Sequence, residues 1–204
     1  MADISNGNGL RDHMLILARF LRNPRTVGTL WPSSGALATE MVTEIPDGTD
    51  ATVVELGPGT GALTGAIVDR LGPSSRFLAV DIEPAFVESI RQRWPAVECV
   101  CASAEHLETI LAVRDIGPID HVISGLPFAS LPGAMTRRIL EGLEKTLRPG
   151  GTFTTFQYLH GFRLPTARSF RDQMSERMGR APKRHAVVRN FPPAYVLTWT
   201  RRNT

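Results

Sequence analysis

The segment Val53-Val54-Glu55-Leu56-Gly57-Pro58-Gly59-Thr60-Gly61 does most to restrict the fold. An apolar run beginning at Ala51 meets an acidic residue, then glycines at 57, 59 and 61, then Ala62-Leu63-Thr64-Gly65-Ala66-Ile67-Val68. β-Forming residues, a glycine bend and an amphipathic stretch read as strand, tight turn and helix, the opening unit of a parallel α/β sheet. Glycines at such a bend let the backbone come close to a ligand where a Cβ would clash.

The alternation continues down the chain. Strands are expected near 52–56, 76–80, 97–101, 119–124 and 151–158, with helices near 61–71, 84–93, 104–113 and 133–147. Helix-length segments between strands imply right-handed crossovers and one parallel sheet. After a helix near 166–179, the runs 184–191 and 194–200 are joined through Phe191-Pro192-Pro193, short enough for an antiparallel hairpin. Upstream, a loop holding Trp31, Ser33 and Ser34 leads into a helix from about Gly35 to Glu44. Earlier still, Leu10, Met14, Leu17 and Leu21 share one stripe of an amphipathic helix, with Arg11, Arg19 and Arg22 opposite. Such a helix either packs on a core or lies in an anionic membrane surface.

Composition narrows the class. Hydrophobic residues at 42% and charged residues at 21% argue against wholesale disorder. No run of about 18 apolar residues offers a transmembrane helix, and no secretory signal is recognisable. Cys99 and Cys101 stand two apart on an expected strand, hence on one face. They read as buried, reduced thiols of a cytoplasmic protein, with no metal site.

In an open parallel sheet, ligands sit beyond the carboxyl ends of the strands. That rule selects Glu55 to Gly61, Asp81 with Ile82, Ser103 to Glu105, Ser124 to Phe128, and Tyr158 to His160. The bend is G-x-G-x-G. It is neither the G-x-G-x-x-G of a dinucleotide site nor a P-loop.

E-L-G-P-G-T-G at 55–61 resembles motif I of the class I methyltransferases that use S-adenosyl-L-methionine and release S-adenosyl-L-homocysteine. The resemblance implies a Rossmann-like α/β fold: a seven-stranded, mostly parallel sheet ending in an antiparallel hairpin, preceded here by the N-terminal amphipathic helix. It implies that Glu55, Gly57, Pro58, Gly59 and Gly61 pass under the cofactor's methionine and ribose, and that Asp81, beside Ile82, meets the ribose hydroxyls. Ser103, Ala104 and Glu105 would face the adenine. Many relatives carry Asp where Ser103 stands, so the contact to the adenine amino group falls to Ser103, to Glu105 or to backbone. Ser124 closes the cofactor set, and Trp31, Ser33 and Ser34 would form a lid.

Larger parts of the chain are similar to the bacterial phospholipid N-methyltransferases, which convert phosphatidylethanolamine to phosphatidylcholine. The shared motifs are Asn23-Pro24, Val27-Gly28, Pro32-Ser33-Ser34, the bend itself, Ser124-Gly125-Leu126-Pro127, Leu147-Arg148-Pro149-Gly150-Gly151, Phe156-Gln157-Tyr158 and Asn190-Phe191-Pro192-Pro193-Ala194. The implied organisation is a helix-and-lid segment at 1–34 and a methyltransferase domain at 35–204. The family's membrane-binding helix maps to residues 10–22, which implies a cytoplasmic enzyme, peripheral on the inner face of the bacterial membrane and acting on phospholipid rather than nucleic acid. The oligomeric state stays open.

After the fourth strand, base-amine methyltransferases carry Asn-Pro-Pro-Tyr or a close variant. This chain has Gly125-Leu126-Pro127-Phe128, the frame without the Asn. That argues for a compact amine held by the backbone of Gly125 and Leu126, and against the alternative, an RNA adenine N6-dimethyltransferase. A third possibility, a non-catalytic membrane module, sits badly with the intact bend. Tyr158 would position the amine and His160 would be the candidate base. Phe128, Tyr158 and Tyr195 are expected to form an aromatic cage for methylated ammonium groups. Among Arg163, Arg168, Lys183, Arg184 and Arg189, the last is the preferred phosphate ligand.

Overall fold

A computed structural model describes residues 33–203; Trp31 and the expected membrane helix at 10–22 lie outside them. Strand β1 (Thr52–Leu56) is central because Val53, Val54 and Leu56 leave nothing for water, and successive side chains enter opposite faces. Around it stand β2 (Arg76–Asp81), β3 (Glu98–Cys101), β4 (Ile119–Ser124), β5 (Leu147–Tyr158), β6 (Lys183–Val187) and β7 (Ala194–Thr200). Their order is β3-β2-β1-β4-β5-β7-β6. The β1 to β5 pairs are parallel, and β7 runs antiparallel to both its neighbours. The expected seven-stranded sheet with a terminal hairpin is therefore present. Strand order reverses beside β1, which opens a crevice at its carboxyl end.

Helices α1 (Ser33–Met41), α2 (Ala62–Val68), α3 (Pro84–Arg93), α4 (Leu107–Val113), α5 (Gly133–Thr146) and α6 (Pro165–Met178) cover the sheet. Val53, Ile123 and Val196 pack against Leu37 and Met41 of α1 and Leu63 and Ile67 of α2. On the other face, Val54, Val122, Phe153 and Trp199 pack against Leu107, Ile139, Leu143 and Phe170 of α4 to α6. Each such buried side chain contributes roughly 1.5–3 kcal/mol. Two faces of unequal size result.

Several boundaries differ from expectation: α2 ends at Val68 instead of 71, β5 begins at Leu147 instead of 151, and β6 ends at Val187 instead of 191. Helix α1 begins at Ser33 and ends at Met41, so Ser33 and Ser34 start the helix instead of belonging to a loop. Residues 104–113 split into a 3-10 turn, Ala104–His106, and α4, because the Ser103 hydroxyl caps the turn by accepting the Glu105 N–H. Cys99 is buried under Val87 and Ile90 of α3, and burial pushes its thiol up to about 11. Cys101, expected to be buried, is exposed: it ends the edge strand β3, beyond the part that α3 covers.

Candidate functional site

The bend after β1 is fastened on both sides. Gly57 N–H donates to Val80 O and Gly125 N–H to Leu56 O, each at 2.9 Å. Gly57 has φ +72, and a Cβ there would stand 2.8 Å from Leu126 Cδ2. Gly61 has φ +84 and meets the ring of Trp94, whose Cζ3 would lie 2.4 Å from an added Cβ. Both positions require glycine for conformation and for space. Trp94, a wall of this bend, was not among the residues selected from sequence; it stands on a helix end where nothing in the spacing marks it.

Inside the bend, Glu55 is 0% exposed. Its Oε2 accepts the Thr64 hydroxyl at 2.7 Å, while Oε1 has no partner among the described residues. Burial pushes its pKa up to about 8, against the Thr64 hydrogen bond and helped by the nearby Asp81 charge. Such an acceptor is matched to a cation from outside. At the end of β2, Asp81 Oδ2 accepts the Gly59 N–H at 3.0 Å and Oδ1 the Glu83 N–H at 2.9 Å. Burial still raises its pKa above the usual range, against the N–H donors of Glu83, Gly59 and Ile82. Each oxygen keeps a lone pair for a hydroxyl. Ile82 beside it is 44% exposed, an apolar side chain left open at the rim.

These groups fit S-adenosylmethionine: a buried acid beneath the glycine bend whose charge acts on the donor's positive charge through the bend, Asp81 for a ribose, an open apolar residue for a flat ring. Glu105 is already engaged, since its carboxylate accepts the Ser103 hydroxyl at 3.1 Å and pairs with Arg138 of α5. The Ser103 hydroxyl is spent on Glu105 in turn, so the backbone of Ser103 and Ala104 remains the candidate adenine contact. Ser124 is fully buried: its hydroxyl accepts the Leu126 N–H and its carbonyl the Thr155 hydroxyl. Its side chain is spent on shaping the turn.

The expected aromatic cage does not form. Phe128 is buried and stacks on Phe170 with centroids 4.3 Å apart and planes 13° apart, drawn under the sheet by the turn at Leu126 to Ser130. Tyr195 registers with Gln157, and Tyr158 with Ala194, so the two tyrosines project from opposite faces. Tyr195 packs on Phe162, at 4.8 Å between centroids. Tyr158 and His160 do come together, stacked at 5.6 Å and 12°. Burial raises the Tyr158 pKa, which keeps the phenol neutral. Ser124 registers with Thr155, so Tyr158 stands about 10 Å further up the sheet edge, at the rim.

The basic residues also sort differently. Lys183 is taken by Glu44 at 2.8 Å. Arg189 is exposed in the β6–β7 connection. Arg163, Arg168 and Arg184 line one cavity together with Arg171, which sequence reasoning missed because a basic residue on α6 reads as solvated surface.

Replacing Asp81 with asparagine should weaken S-adenosylmethionine binding by about 1–3 kcal/mol, the cost of losing a charged acceptor. Calorimetric titration measures it, and an unchanged Kd would remove Asp81 from the site.

Comparison with known proteins agrees with this geometry. Residues 53–151 match a methyltransferase domain family. An ornithine lipid N-methyltransferase of Singulisphaera acidiphila is 34% identical over 147 residues, 71% of this chain and 77% of that one. A ribosomal RNA small subunit methyltransferase A of Koribacter versatilis is 39% identical over 92 residues, 43% of this chain but 30% of that one. Among solved structures, 1,6-didemethyltoxoflavin-N1-methyltransferase of Burkholderia thailandensis, with S-adenosylhomocysteine bound, superposes with a TM-score of 0.66 at 19% identity, covering 100% of this chain and 93% of its own. With a lipid N-methyltransferase aligned over most of both chains and a crevice shaped for the same donor, the chain belongs to the class I S-adenosylmethionine-dependent methyltransferases.

Proposed function

We propose that this methyltransferase methylates the amine of a phospholipid headgroup, phosphatidylethanolamine, stepwise to its mono-, di- and trimethylated forms. The observation that carries the reading is the edge after β4. A Cβ at Gly125 would lie 2.7 Å from Gly57 O, so no side-chain amide can project there, and Phe128 has left the edge for the core. A flat base would find neither its amide nor its stacking ring. A small amine on a flexible chain needs only backbone carbonyls. The likeness to an ornithine lipid N-methyltransferase supports a lipid amine as the acceptor.

Bound S-adenosylmethionine supplies an electrophilic methyl group. The protein's tasks are to hold the amine in line with it and to take a proton. An amine titrating near ~10.4 costs roughly 4–5 kcal/mol to present neutral at pH 7. An apolar wall lowers that cost by disfavouring the ammonium. Tyr158 orients the amine through its neutral phenol, and His160, stacked on it at the rim, accepts the proton.

We place the reaction at the inner face of the membrane, with residues 10–22 as the contact to anionic lipid. Among the described residues no helix is long and apolar enough to cross a bilayer. At an anionic surface each basic residue of 10–22 adds about 1 kcal/mol. Methyl transfer from labelled S-adenosylmethionine to phosphatidylethanolamine vesicles tests the reading, with the mono- and dimethylated lipids run beside it. No transfer to any of the three would sink it. Deleting residues 1–22 should weaken vesicle binding and leave the melting temperature in place; a chain that no longer folds would assign the segment to packing. The partial match to a ribosomal RNA methyltransferase favours an RNA substrate as the second reading. Tight, strongly salt-dependent RNA binding would turn the argument that way.

A further inference from the structure

Beyond the end of β5, on the face that carries α6, lies a cavity of about 740 Å³ lined by Leu159, Phe162, Arg163, Arg168, Arg171, Arg184 and Tyr195. Arg171 is half-buried with neutral partners only: Nη1 donates to Gln157 Oε1 at 2.7 Å and to Phe162 O at 2.9 Å, and the guanidinium lies 3.8 Å over the Phe162 ring. Arg184 approaches the same ring at 5.7 Å and Tyr195 at 4.9 Å. Arg168 pairs loosely with exposed Asp172, at 3.7 Å. Among the described residues no carboxylate pairs with Arg163, Arg171 or Arg184.

Four guanidiniums around one hollow repel each other, and two of them, Arg171 and Arg184, lie against its aromatic wall. Burial already holds the Arg171 pKa below its ordinary value, with Arg168 and Arg184 adding to the effect against Asp172. An arrangement of this kind is balanced by an oxyanion from outside. A guanidinium fork matches phosphate oxygens in pairs. Leu159, Phe162 and Tyr195 add an apolar wall that a bare inorganic ion does not use. Leu159, Phe162 and Arg163 of its lining follow directly on β5, the strand next to β4, whose end carries the Gly125 edge; Tyr195 lines the cavity from the face opposite Tyr158, so a diester held here sends its ethanolamine arm across the end of β5 to reach Tyr158.

We propose that this arginine cavity holds the phosphodiester of the phospholipid whose amine is methylated. The proposal rests on the phospholipid reading above and adds the anion-binding half of the headgroup site. It assigns to Arg171, Arg184 and their neighbours the role first given to Arg189.

Direct binding tests it without catalysis. The full chain is titrated by calorimetry with glycerophosphoethanolamine, with ethanolamine and with inorganic phosphate, as wild type and as the exposed-residue variants Arg184→Gln and Arg163→Gln. The expected result is that glycerophosphoethanolamine binds, that ethanolamine does not, and that each variant weakens binding tenfold or more at unchanged melting temperature. Arg171→Lys, which keeps the charge and loses the fork, should weaken it as well. Equal affinity for inorganic phosphate would make this a free-anion site and overturn the phospholipid assignment. No phosphate binding at all would overturn the cavity as an anion site even if phosphatidylethanolamine is methylated. Conversely, intact glycerophosphoethanolamine binding without methyl transfer would fault the proposed reaction and leave the cavity standing.

Discussion

Gly125→Ala should reduce cofactor affinity by about 10- to 100-fold while the protein still folds. The added methyl would lie 2.7 Å from the Gly57 carbonyl oxygen, which is backbone and has nowhere flexible to go. Gly57 is itself tied to Val80 by its N–H, and Pro58 follows it. Relief therefore comes from displacing the bend, at an overpacking cost of about 1–3 kcal/mol. That displacement moves the carbonyl and N–H groups of the bend assigned to the donor. Calorimetry for the Kd and a thermal melt for the fold separate the two effects. An alanine variant with wild-type affinity would show that the bend tolerates movement and that the edge after β4 is not spatially committed.

The second large effect is a pH dependence centred on Glu55. Burial is the chief cause that pushes its carboxyl up to about 8. Only the ionised form attracts a cation, so affinity for the positively charged donor should rise about tenfold per pH unit up to about 8 and then level off. Binding below that pH should release close to one proton, seen as a dependence of the calorimetric heat on buffer. The sign for stability is opposite. A carboxyl raised from 4.5 to about 8 on folding contributes stability that is full below 4.5 and is lost as pH rises through about 8. The ligand-free protein should thus melt lower at pH 8.5 than at pH 6. Glu55→Gln should flatten both profiles and weaken binding at pH 8.5 by about 1.5–3 kcal/mol, the worth of a hydrogen bond to a charged group. Persistence of the pH slope in that variant would assign the proton to another group.

Much of the architecture was legible because β1 is buried on both faces and so reads as an apolar run broken only by Glu55, and because the glycines that follow mark a tight bend. Asp81 was legible for the same reason: it ends a strand next to that bend. What escaped were properties of register and facing. Whether Tyr195 shares a face with Tyr158 depends on one residue of alignment between β5 and β7. Whether Phe128 looks out or in depends on Phe170, on a helix far along the chain. Arg171 was invisible because basic spacing on a helix resembles any wetted surface until its neighbours are known. Patterns along the chain report burial; they do not report which buried groups meet.

One consequence follows from the hydrogen bond between the Gly59 N–H and Asp81. It laces the loop after the first strand to the tip of the second before any small molecule arrives, so the seat is already assembled. Little disorder is left to be frozen out on occupancy, and more of the contact energy is retained as affinity. A mutation that loosened this lacing would slacken the grip without touching a single atom of the guest.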